Sequence, residues 1–388
     1  MVTRRTVFAA AAGLVLVEGV LAAGRPALAV ERRDPRAAWA EAPANRHPDW
    51  RVRAFSWAVL APNPHNRQPW MLELIGSDEA LLFADLDRRL PVTDPLDRQI
   101  TIGLGAAVEL FCLAAAAEGR AVVVEPFPAG VPEGRLDQRP VARLSLAAGG
   151  AGQADPLFAA APNRRSAKLP FDLARPPTAA ELHSVASAAR HGTRVVTILD
   201  PAEVTAWREL TWWAWQIEAG DPAAHGETIA LMRLGRAEVT SRPDGVSVWG
   251  PGLDELVANG VLTRAGFSEP AHPAYRAMVD RYRAMLAATP AYLAVLTPAG
   301  SLREALTAGR DWLRLNLAAT AAGLAIHPVS QALQEFPAMA EPYLAAHTRL
   351  GATAPARVQM LARIGRLPAG AVAQPTPRWP AGSRILGV

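Results

Sequence analysis

The stretch from Ala61 to Trp70, with the sequence APNPHNRQPW, constrains the fold more than any other part of the chain. It follows a run of helical character at residues 51–60 and precedes an apolar run of strand length, Met71 to Ile75. Its two prolines cannot continue a helix, because proline lacks the N–H group and forces the preceding residue into an extended conformation. Its asparagines favour turns, since their side chains hydrogen-bond nearby backbone groups. We therefore expect a rigid loop whose amides can bind the polar edge of a flat heterocycle; a capped helix-to-strand connection is the alternative.

The composition predicts a large core and argues against several classes of function. The chain has 388 residues, of which 50% are hydrophobic, so two lobes can be filled. The net charge of +4 is carried almost wholly by arginine, because Lys168 is the only lysine. So small a charge gives a weak field, and no nucleic-acid partner is expected. The single cysteine, Cys112, excludes an intramolecular disulfide, and the eight histidines show no metal-ligand spacing, so no metal site is expected.

Residues 1–29 have the pattern of an export signal. A short basic start contains the adjacent Arg4 and Arg5, an apolar run follows at residues 7–17, and Ala27-Leu28-Ala29 fits a small-x-small cleavage site. The surroundings of the arginine pair resemble a twin-arginine signal. That resemblance implies transport of a folded protein to the periplasm or another extracytoplasmic compartment.

The same region argues against a membrane anchor. A spanning helix needs about 20 uninterrupted apolar residues, and Glu18 interrupts this run. No stable membrane span is therefore expected. Residues 30–49 are rich in proline, alanine and arginine, and we predict a flexible lead-in there.

The remainder predicts strands and helices in two successive groups. Strands are expected at Ala80–Ala84, Ala121–Glu125 and Val141–Leu146, with a long helix at Ile100–Gly119. A Gly/Ala-rich stretch, residues 147–155, is the most plausible boundary between two lobes. The helical stretches Gly105–Gly119 and Gly309–Gly323 align without gaps. Duplication explains this match, although alanine-rich helices also match by chance.

Four stretches resemble the nitroreductase superfamily, whose members hold FMN. Residues 61–70 resemble its A-P-S-x-H-N-x-Q-P-W signature, and residues 161–171 (APNRRSAKLPF) resemble its R-x-S-x-[RK]-x-F segment. Residues 323–331 match the family's G-L-x-x-x-P-[IV] segment near flavin N5, and residues 375–380 resemble the tail whose arginine reaches the phosphate. The resemblance covers most of residues 50–388, densely only in these stretches.

The resemblance implies an α+β fold with a mainly antiparallel central sheet flanked by helices. The asparagine loop lies in the first half of the chain and the basic segment in the second, so the two parts of one flavin site are divided between halves. This arrangement is similar to the Acg-like branch, in which two nitroreductase-like halves are fused. We expect halves at residues 50–150 and 151–388, one FMN at their interface, and either a monomeric pseudo-dimer or a homodimer.

The resemblance also names the residues that would hold the flavin. Arginine can bind phosphate oxygens through two parallel hydrogen bonds, and a cation near the flavin N1–C2 carbonyl favours the reduced ring. A solvated basic helix start is the alternative for residues 164–168. The implied cofactor-binding residues are Pro62, Asn63, Pro64, Asn66, Gln68, Arg164, Arg165, Ser166, Lys168, Pro328, Ser330, Gln331 and Arg378. Thr376 stands where some members have lysine, which leaves the second phosphate cation open. Hydride transfer needs no side-chain acid or base, so no catalytic residue is named, and His327 is interpreted as structural.

One region departs from the family pattern. Residues 216–273 are rich in Gly, Pro and Asp and follow a helix with four tryptophans, Trp207, Trp212, Trp213 and Trp215. A lid over the flavin is one interpretation. Core tryptophans followed by a surface excursion are the other.

The resemblance leads to three functional hypotheses. The first is an exported FMN-dependent oxidoreductase that passes hydride through flavin N5 to a small acceptor, such as a nitroaromatic or a quinone. NAD(P)H is cytoplasmic, so the electron donor of an exported enzyme is unknown. The second is a protein that stores or sequesters FMN with little turnover. The third is a fold that has lost its cofactor and serves structurally.

Overall fold

The computed structural model describes residues 34–387, so the predicted export signal lies outside the described residues. The first element is helix α1, Ala37–Ala44. Trp39 in this helix is buried, and its Nε1 donates a hydrogen bond of 2.8 Å to the carbonyl of Thr376. The prediction of a flexible lead-in is therefore wrong for residues 34–49. A single buried tryptophan outweighs the surrounding Pro/Ala/Arg composition, because its burial fixes the helix against the distant C-terminal segment.

The strands form two main sheets and one small one. In chain order they are β1 Trp70–Ile75, β2 Glu79–Ala84, β3 Arg120–Pro126, β4 Ala142–Ala151, β5 Arg194–Ile198, β6 Met232–Leu234, β7 Val246–Val248, β8 Ala291–Thr297, β9 Ala325–Pro328, β10 Arg357–Gly365 and β11 Ile385–Leu386. The first sheet has the order β11-β1-β2-β4-β3, and the second has the order β5-β8-β10-β9. All neighbours in these two sheets are antiparallel except β1 and β11. The short strands β6 and β7 pair in parallel.

Helices surround both sheets. After α1 they are α2 Trp50–Ala58, α3 Arg98–Ala117, α4 Ala179–Ala186, α5 Pro201–Gly220, α6 Pro222–Ala230, α7 Gly235–Ser241, α8 Leu253–Ala258, α9 Arg264–Ser268, α10 Pro273–Ala287, α11 Leu302–Ala321 and α12 Ala340–Arg349. The α+β class with mainly antiparallel sheets is confirmed by these elements. The strand β8, with the sequence AYLAVLT, is buried at every position, as expected of an apolar run between two neighbours.

The two helices aligned in the sequence, α3 and α11, cross at their aligned glycines. A Cβ atom on Gly105 would lie 2.1 Å from the carbonyl oxygen of Leu306, and one on Gly309 would lie 2.1 Å from that of Ile102. Only glycine allows this approach. Helix α3 is long and apolar enough to span a membrane, the one such helix in residues 34–387, but 83% of the relevant window is buried in the protein. It is therefore the central packing helix of the first sheet.

Two details differ from the expected division into halves. Strand β4 continues to Ala151, through the first residues of the predicted linker, because it pairs with Arg120 at the start of β3. Strand β11 lies in the predicted second half but pairs with Leu72 and Glu73 of the first sheet. The two predicted halves thus share a sheet.

Residues 216–273 fold around a small apolar core that they share with the first turn of α10. This core contains Ile229, Met232, Leu234, Phe267 and Ala274. Helices α6 to α9 and the small sheet of β6 and β7 all lie within residues 216–273. The region is thus an ordered unit, and its position over the asparagine loop is described below.

Candidate functional site

The asparagine loop between α2 and β1 holds an unusual backbone conformation. His65, Asn66 and Gln68 have φ angles of 46°, 51° and 52°, in the left-handed region that side-chain-bearing residues rarely adopt. A Cβ atom on Gly103, near the start of α3, would lie 3.0 Å from Cβ of Asn63, so the helix supports the loop closely from one side. Strained backbone of this kind persists only where the surroundings fix it, and it concentrates at binding sites.

The side-chain amides of the loop bind protein groups. Asn63 Oδ1 accepts a hydrogen bond of 2.7 Å from the backbone N–H of Gln68. Gln68, which is fully buried, donates to the carbonyl of Pro243 at 2.7 Å and accepts from the N–H of Trp379 at 2.8 Å. Asn66 Oδ1 accepts from Arg378. The predicted site residues Asn63, Asn66 and Gln68 therefore fix the loop in place, and Pro62 is buried beneath it while Pro64 is half-buried.

Three arginines of the predicted site surround Trp39. The guanidinium carbons of Arg164, Arg165 and Arg378 lie 5.7, 4.3 and 5.7 Å from the centre of its ring. Arg164 and Arg378 are only 2% and 5% exposed. Within residues 34–387, no salt bridge joins any of the three to a carboxylate. We call Arg164, Arg165 and Arg378 the arginine cluster.

Two buried nitrogens of the arginine cluster have no hydrogen-bond partner among the described residues: Nη1 of Arg164 and Nε of Arg378. Burial and the neighbouring charge of Arg165 lower the pKa of Arg164 to about 9. Burial, with the charges of Arg164 and Arg165, lowers the pKa of Arg378 well below its usual value. The cluster is thus a concentration of positive charge that an anion would stabilise.

A fourth arginine that the sequence reasoning missed lies beside the cluster. The guanidinium of Arg36 lies 4.6 Å from the ring centre of Trp249, and its buried Nε also has no hydrogen-bond partner among the described residues. Burial and the charge of Arg36 lower the pKa of Arg165, while Asp34 partly offsets the charge of Arg36 itself. Arg36 and Trp39 fall within the predicted lead-in, where no motif marked them. Thr376, the position left open, accepts a hydrogen bond from Arg378.

Lys168 lies at the other end of the basic segment. The segment runs beside β9, because Ser166 bridges to Ile326 in parallel and the N–H of Ala167 donates to the Ile326 carbonyl at 2.9 Å. Lys168 is exposed. The basic segment that carries Ser166 and Lys168 therefore runs alongside the strand that carries His327 and Pro328.

Two histidines near Lys168 are held in the neutral form. Burial, then the charges of Lys168 and Arg67, lower the pKa of His65 to about 4. Burial, then Arg363 and Lys168, lower the pKa of His327 well below its usual value. Nδ1 of each ring is buried without a hydrogen-bond partner among the described residues. At neutral pH neither imidazole adds positive charge beside the lysine.

The turn after β9 contacts a carboxyl group that the sequence reasoning did not select. Gln334 donates a hydrogen bond of 2.9 Å to the carboxylate of Glu218 in α5, and the nearby Gln331 and Lys168 also favour its ionised form. Glu218 is 8% exposed, and burial raises its pKa to about 7. Ser330 Oγ makes only a long contact of 3.9 Å, to the sulfur of Met360. No pattern in the sequence distinguishes Glu218 from the other helical glutamates, because only the fold buries it.

Residues 216–273 lie against the asparagine loop. Besides Pro243, the N–H of Gly245 donates to the carbonyl of Asn66 at 3.2 Å. Asp244 is buried and pairs with Arg67, Arg88 and Arg233 at 3.4, 3.1 and 2.9 Å. A lid at residues 216–273 stays a prediction, and these contacts show where it would be held.

Other chemistry finds little support nearby. Burial raises the pKa of Cys112 to about 12, so its thiol is unreactive. In residues 34–387 no group of three or more His, Cys, Asp or Glu side chains is arranged to hold a metal ion. A cavity of about 350 Å³ lies between α1, α2 and residues 380–382, and none of the predicted site residues lines it.

No family model matches the chain. Over 76 residues it is 42% identical to Acg of Mycobacterium tuberculosis, which carries a provisional assignment as an NAD(P)H nitroreductase. The match covers 19% of this chain and 22% of Acg, about a fifth of the relative's length, and is the same for strains CDC 1551 and H37Rv. The predicted resemblance to nitroreductases of the Acg-like branch is confirmed by this match. Fusion of two halves stays a prediction.

Solved structures of nitroreductases overlap with the chain more broadly but loosely. An FMN-bound nitroreductase of Bacteroides fragilis NCTC 9343 has a TM-score of 0.33 at 15% identity, covering 57% of this chain and 93% of that one. An FMN-bound nitroreductase of Desulfitobacterium hafniense DCB-2 has a TM-score of 0.31 at 15% identity, covering 61% and 100%. TM-scores below 0.5 do not establish a shared fold, so the α+β assignment rests on the strands and helices above.

Proposed function

We propose that this protein is an FMN-binding oxidoreductase of the nitroreductase type, which reduces a small nitroaromatic or quinone acceptor. The observation that carries the proposal is the basic segment, residues 164–168. One end holds buried guanidinium groups without carboxylate partners, and the other end holds the only lysine, beside β9 and the strained asparagine loop. Together these groups offer a phosphate site and a ring-edge cation on a single extended stretch.

The residues present fit a flavin phosphate at the arginine cluster. A buried polar nitrogen without a hydrogen-bond partner costs about 1–3 kcal/mol, and Arg164 Nη1 and Arg378 Nε are both in that state. A phosphate dianion would accept from both and offset their repulsion. Trp39 would form the apolar wall behind the guanidinium planes.

The residues at the other end fit the flavin ring. FMN, when bound, supplies hydride chemistry at N5. Lys168 would stabilise negative charge at the N1–C2 carbonyl edge, and the neutral His65 and His327 would leave that role to the lysine. The asparagine loop, fixed by its internal amide bonds, would hold the ring and exclude water. The similarity to Acg over 76 residues supports the same assignment.

Location and partners form part of the proposal. The twin-arginine-like start at residues 1–29 favours export to an extracytoplasmic compartment, where an electron donor other than NAD(P)H would be required. A fusion of residues 1–40 to a reporter, with Arg4 and Arg5 intact or both changed to lysine, tests this. Export of both fusions alike, or of neither, would contradict the twin-arginine route. The acceptor would be a small molecule, and the protein a monomeric pseudo-dimer or a homodimer.

A second function is favoured by one observation. Residues 216–273 are held on the asparagine loop by Asp244 with three arginines and by hydrogen bonds to Pro243 and Gly245. A flavin beneath such a cover would be shielded from reductants, which suits storage or sequestration of FMN. Rapid bleaching of bound flavin by NAD(P)H, with turnover of a nitroaromatic, would favour the enzyme. A flavin that NAD(P)H does not bleach and that is also hidden from dithionite-sized reagents would favour storage.

The first experiment is the visible spectrum of the purified protein, followed by release and identification of its flavin. We expect FMN at one per chain and its loss in the double variant Arg164→Ala, Lys168→Ala. Each lost charge-assisted hydrogen bond is worth about 1.5–3 kcal/mol, or roughly 10- to 100-fold in affinity. The matched control is Arg190→Ala, which removes an arginine whose side chain is 68% exposed. A wild-type protein that cannot take up added FMN would overturn the proposal.

A further inference from the structure

Glu218 is a buried carboxyl group that forms no ion pair with any residue in the described range 34–387. It lies in the last turn of α5 and is 8% exposed. Among the described residues its nearest polar partners are two neutral amides, Nε2 of Gln334 at 2.9 Å and the side chain of Gln331. Buried carboxylates are normally paired with a cation, because an isolated buried charge is strongly unfavourable.

The charged groups that act on Glu218 come from two directions. Lys168 of the basic segment favours the ionised form, and Glu227 of α6 opposes it. Glu227 is itself held by the N–H groups of Val92 and Thr93 at 2.9 and 3.0 Å. Burial, with a smaller contribution from Glu227, outweighs the lowering effects of Gln334, Gln331 and Lys168 and raises the pKa of Glu218 to about 7. In about half of the molecules the Glu218 carboxyl group therefore carries its proton at pH 7.

The position of Glu218 connects it to the proposed flavin site. Gln331 connects Glu218 to the turn after β9, and Lys168 connects it to the basic segment. Both residues are predicted flavin contacts. These links place Glu218 near both the proposed ring-edge cation and the turn expected near N5, and so near the region that the proposal assigns to the acceptor.

We propose that Glu218 is the proton donor to the acceptor, an inference that rests on the proposed function. Reduction of a quinone to a hydroquinone takes up two electrons and two protons. The hydride chemistry of the flavin supplies both electrons and one proton, so one proton is still needed. The O–H bond of Glu218 breaks, its electron pair stays on the carboxylate, and a new O–H bond forms on the acceptor oxygen. Solvent then returns a proton to Glu218.

The test uses the FMN-loaded protein, photoreduced without oxygen with EDTA as the electron source and then mixed with 1,4-benzoquinone. We expect the wild-type oxidation rate to fall as pH rises through about 7. Glu218→Gln keeps the size and the hydrogen-bonding capacity of the side chain but carries no transferable proton. General acid catalysis contributes about 10²–10⁴-fold, so we expect a rate at least 100-fold lower at pH 6 and little change with pH. Glu209→Gln, an exposed glutamate on the same helix, is the matched control.

Ferricyanide separates proton delivery from electron transfer, because it accepts electrons without protons. Wild type and Glu218→Gln should reduce ferricyanide at the same rate. A Glu218→Gln variant that loses both activities equally, or that matches the wild type with benzoquinone across the pH range, would overturn the inference. So would a wild-type protein whose reduced flavin reacts with neither acceptor, an outcome that favours storage.

A second measurement does not depend on turnover. The infrared carbonyl band of a protonated carboxyl group should be present in the flavin-free wild type at pH 6 and reduced at pH 8, and Glu218→Gln should remove part of the band at pH 6. Asp94, another buried carboxyl group whose pKa burial raises to about 7, would supply the remainder. If Glu218→Gln leaves this band unchanged, Glu218 carries no proton and the inference fails, whereas the proposed function stands as long as FMN binds. If the wild type binds no FMN, the proposed function fails.

Discussion

At the scale of single residues, the site is dominated by charges that the protein alone does not neutralise. Arg164 is 2% exposed, its Nη1 lacks a hydrogen-bond partner among the described residues, and Arg165 and Arg378 lie around the same tryptophan ring. Such an arrangement stabilises a bound anion and destabilises the free protein. Ligand affinity and the stability of the flavin-free fold therefore depend on these residues in opposite ways.

Arg164→Met tests this opposition. Replacing the buried guanidinium by an apolar side chain of similar length should raise the unfolding free energy of the flavin-free protein by about 1–3 kcal/mol. The same change should weaken FMN binding by roughly 10- to 100-fold. Thermal unfolding without flavin and a fluorescence titration with FMN measure the two effects. Arg190→Met, at an exposed position, should change neither, and a destabilised Arg164→Met protein would contradict the interpretation.

Glu218 gives a pH dependence of stability with a definite sign. Its pKa is about 7 in the folded protein against a usual 4.5, so the folded state holds the proton more tightly. The stability associated with this proton is complete below pH 4.5 and is lost as pH rises through about 7. Glu218→Gln should therefore become more stable relative to the wild type across this range, by about 3 kcal/mol at most. Urea unfolding at pH 4.5, 6 and 8 checks it, and a constant difference would contradict it.

The residue scale also shows what the sequence could predict. Arg164, Arg165, Lys168 and Arg378 are predicted as flavin contacts because they lie in stretches that resemble family motifs, and such motifs are visible in the sequence. Glu218 was not, since its unusual state comes from burial against Gln331 and Gln334, more than 110 positions away. Burial of a polar group is a property of the fold, and no local pattern encodes it.

At the scale of elements, the crossing of α3 and α11 brings the backbones of two core helices into direct contact. The aligned glycines Gly105 and Gly309 allow the two backbones to touch, and this brings the helix beneath the asparagine loop against the helix that leads to β9. Helix positions were predictable from apolar spacing, and the gap-free alignment of their glycines pointed to related roles. The crossing itself was not predictable, because periodicity describes one helix at a time. The same limit explains β4, whose last residues look like a linker but pair with β3.

Gly105→Ala tests the crossing. The added Cβ would lie 2.1 Å from the Leu306 carbonyl, so the helices must separate. Overpacking of this kind costs about 1–3 kcal/mol, and we expect a lower unfolding midpoint together with weaker FMN binding. Gly226→Ala is the matched control, because Gly226 lies within α6 and a Cβ there meets no atom within 4 Å. Its replacement should be neutral or stabilise by about 0.5–1 kcal/mol; equal effects of the two changes would contradict the assignment.

At the scale of the whole molecule, one carboxylate pairs with three arginines where residues 216–273 meet the asparagine loop. Asp244 pairs with Arg67 and Arg88 from the asparagine-loop side and with Arg233 from its own side. No sequence pattern predicted this link, since its members are separated by up to 177 positions. Only the departure of residues 216–273 from the family pattern marked the region as distinctive.

Asp244→Asn should loosen this region. Removing one partner of a buried ion pair costs about 3–5 kcal/mol. Here the loss would weaken the contacts between residues 216–273 and the asparagine loop. We expect new proteolytic cleavage within residues 216–273 and release of FMN at least 10-fold faster. Asp280→Asn, at an exposed position on α10, should leave both unchanged. Unchanged cleavage and release in Asp244→Asn would show that the region is held by other contacts.

The contacts around Trp39 also set an order of events during synthesis. Trp39 hydrogen-bonds the carbonyl of Thr376, 337 positions further along the chain, and Arg378 from the same distant segment completes the arginine cluster. While the ribosome is still making the chain, Arg164 and Arg165 emerge long before Arg378 does. A nascent chain therefore cannot complete the arginine cluster, however much of its core has already folded. If FMN binds as proposed, its capture waits until residue 378 has left the ribosome, and a chain terminated before that residue would lack a complete phosphate site.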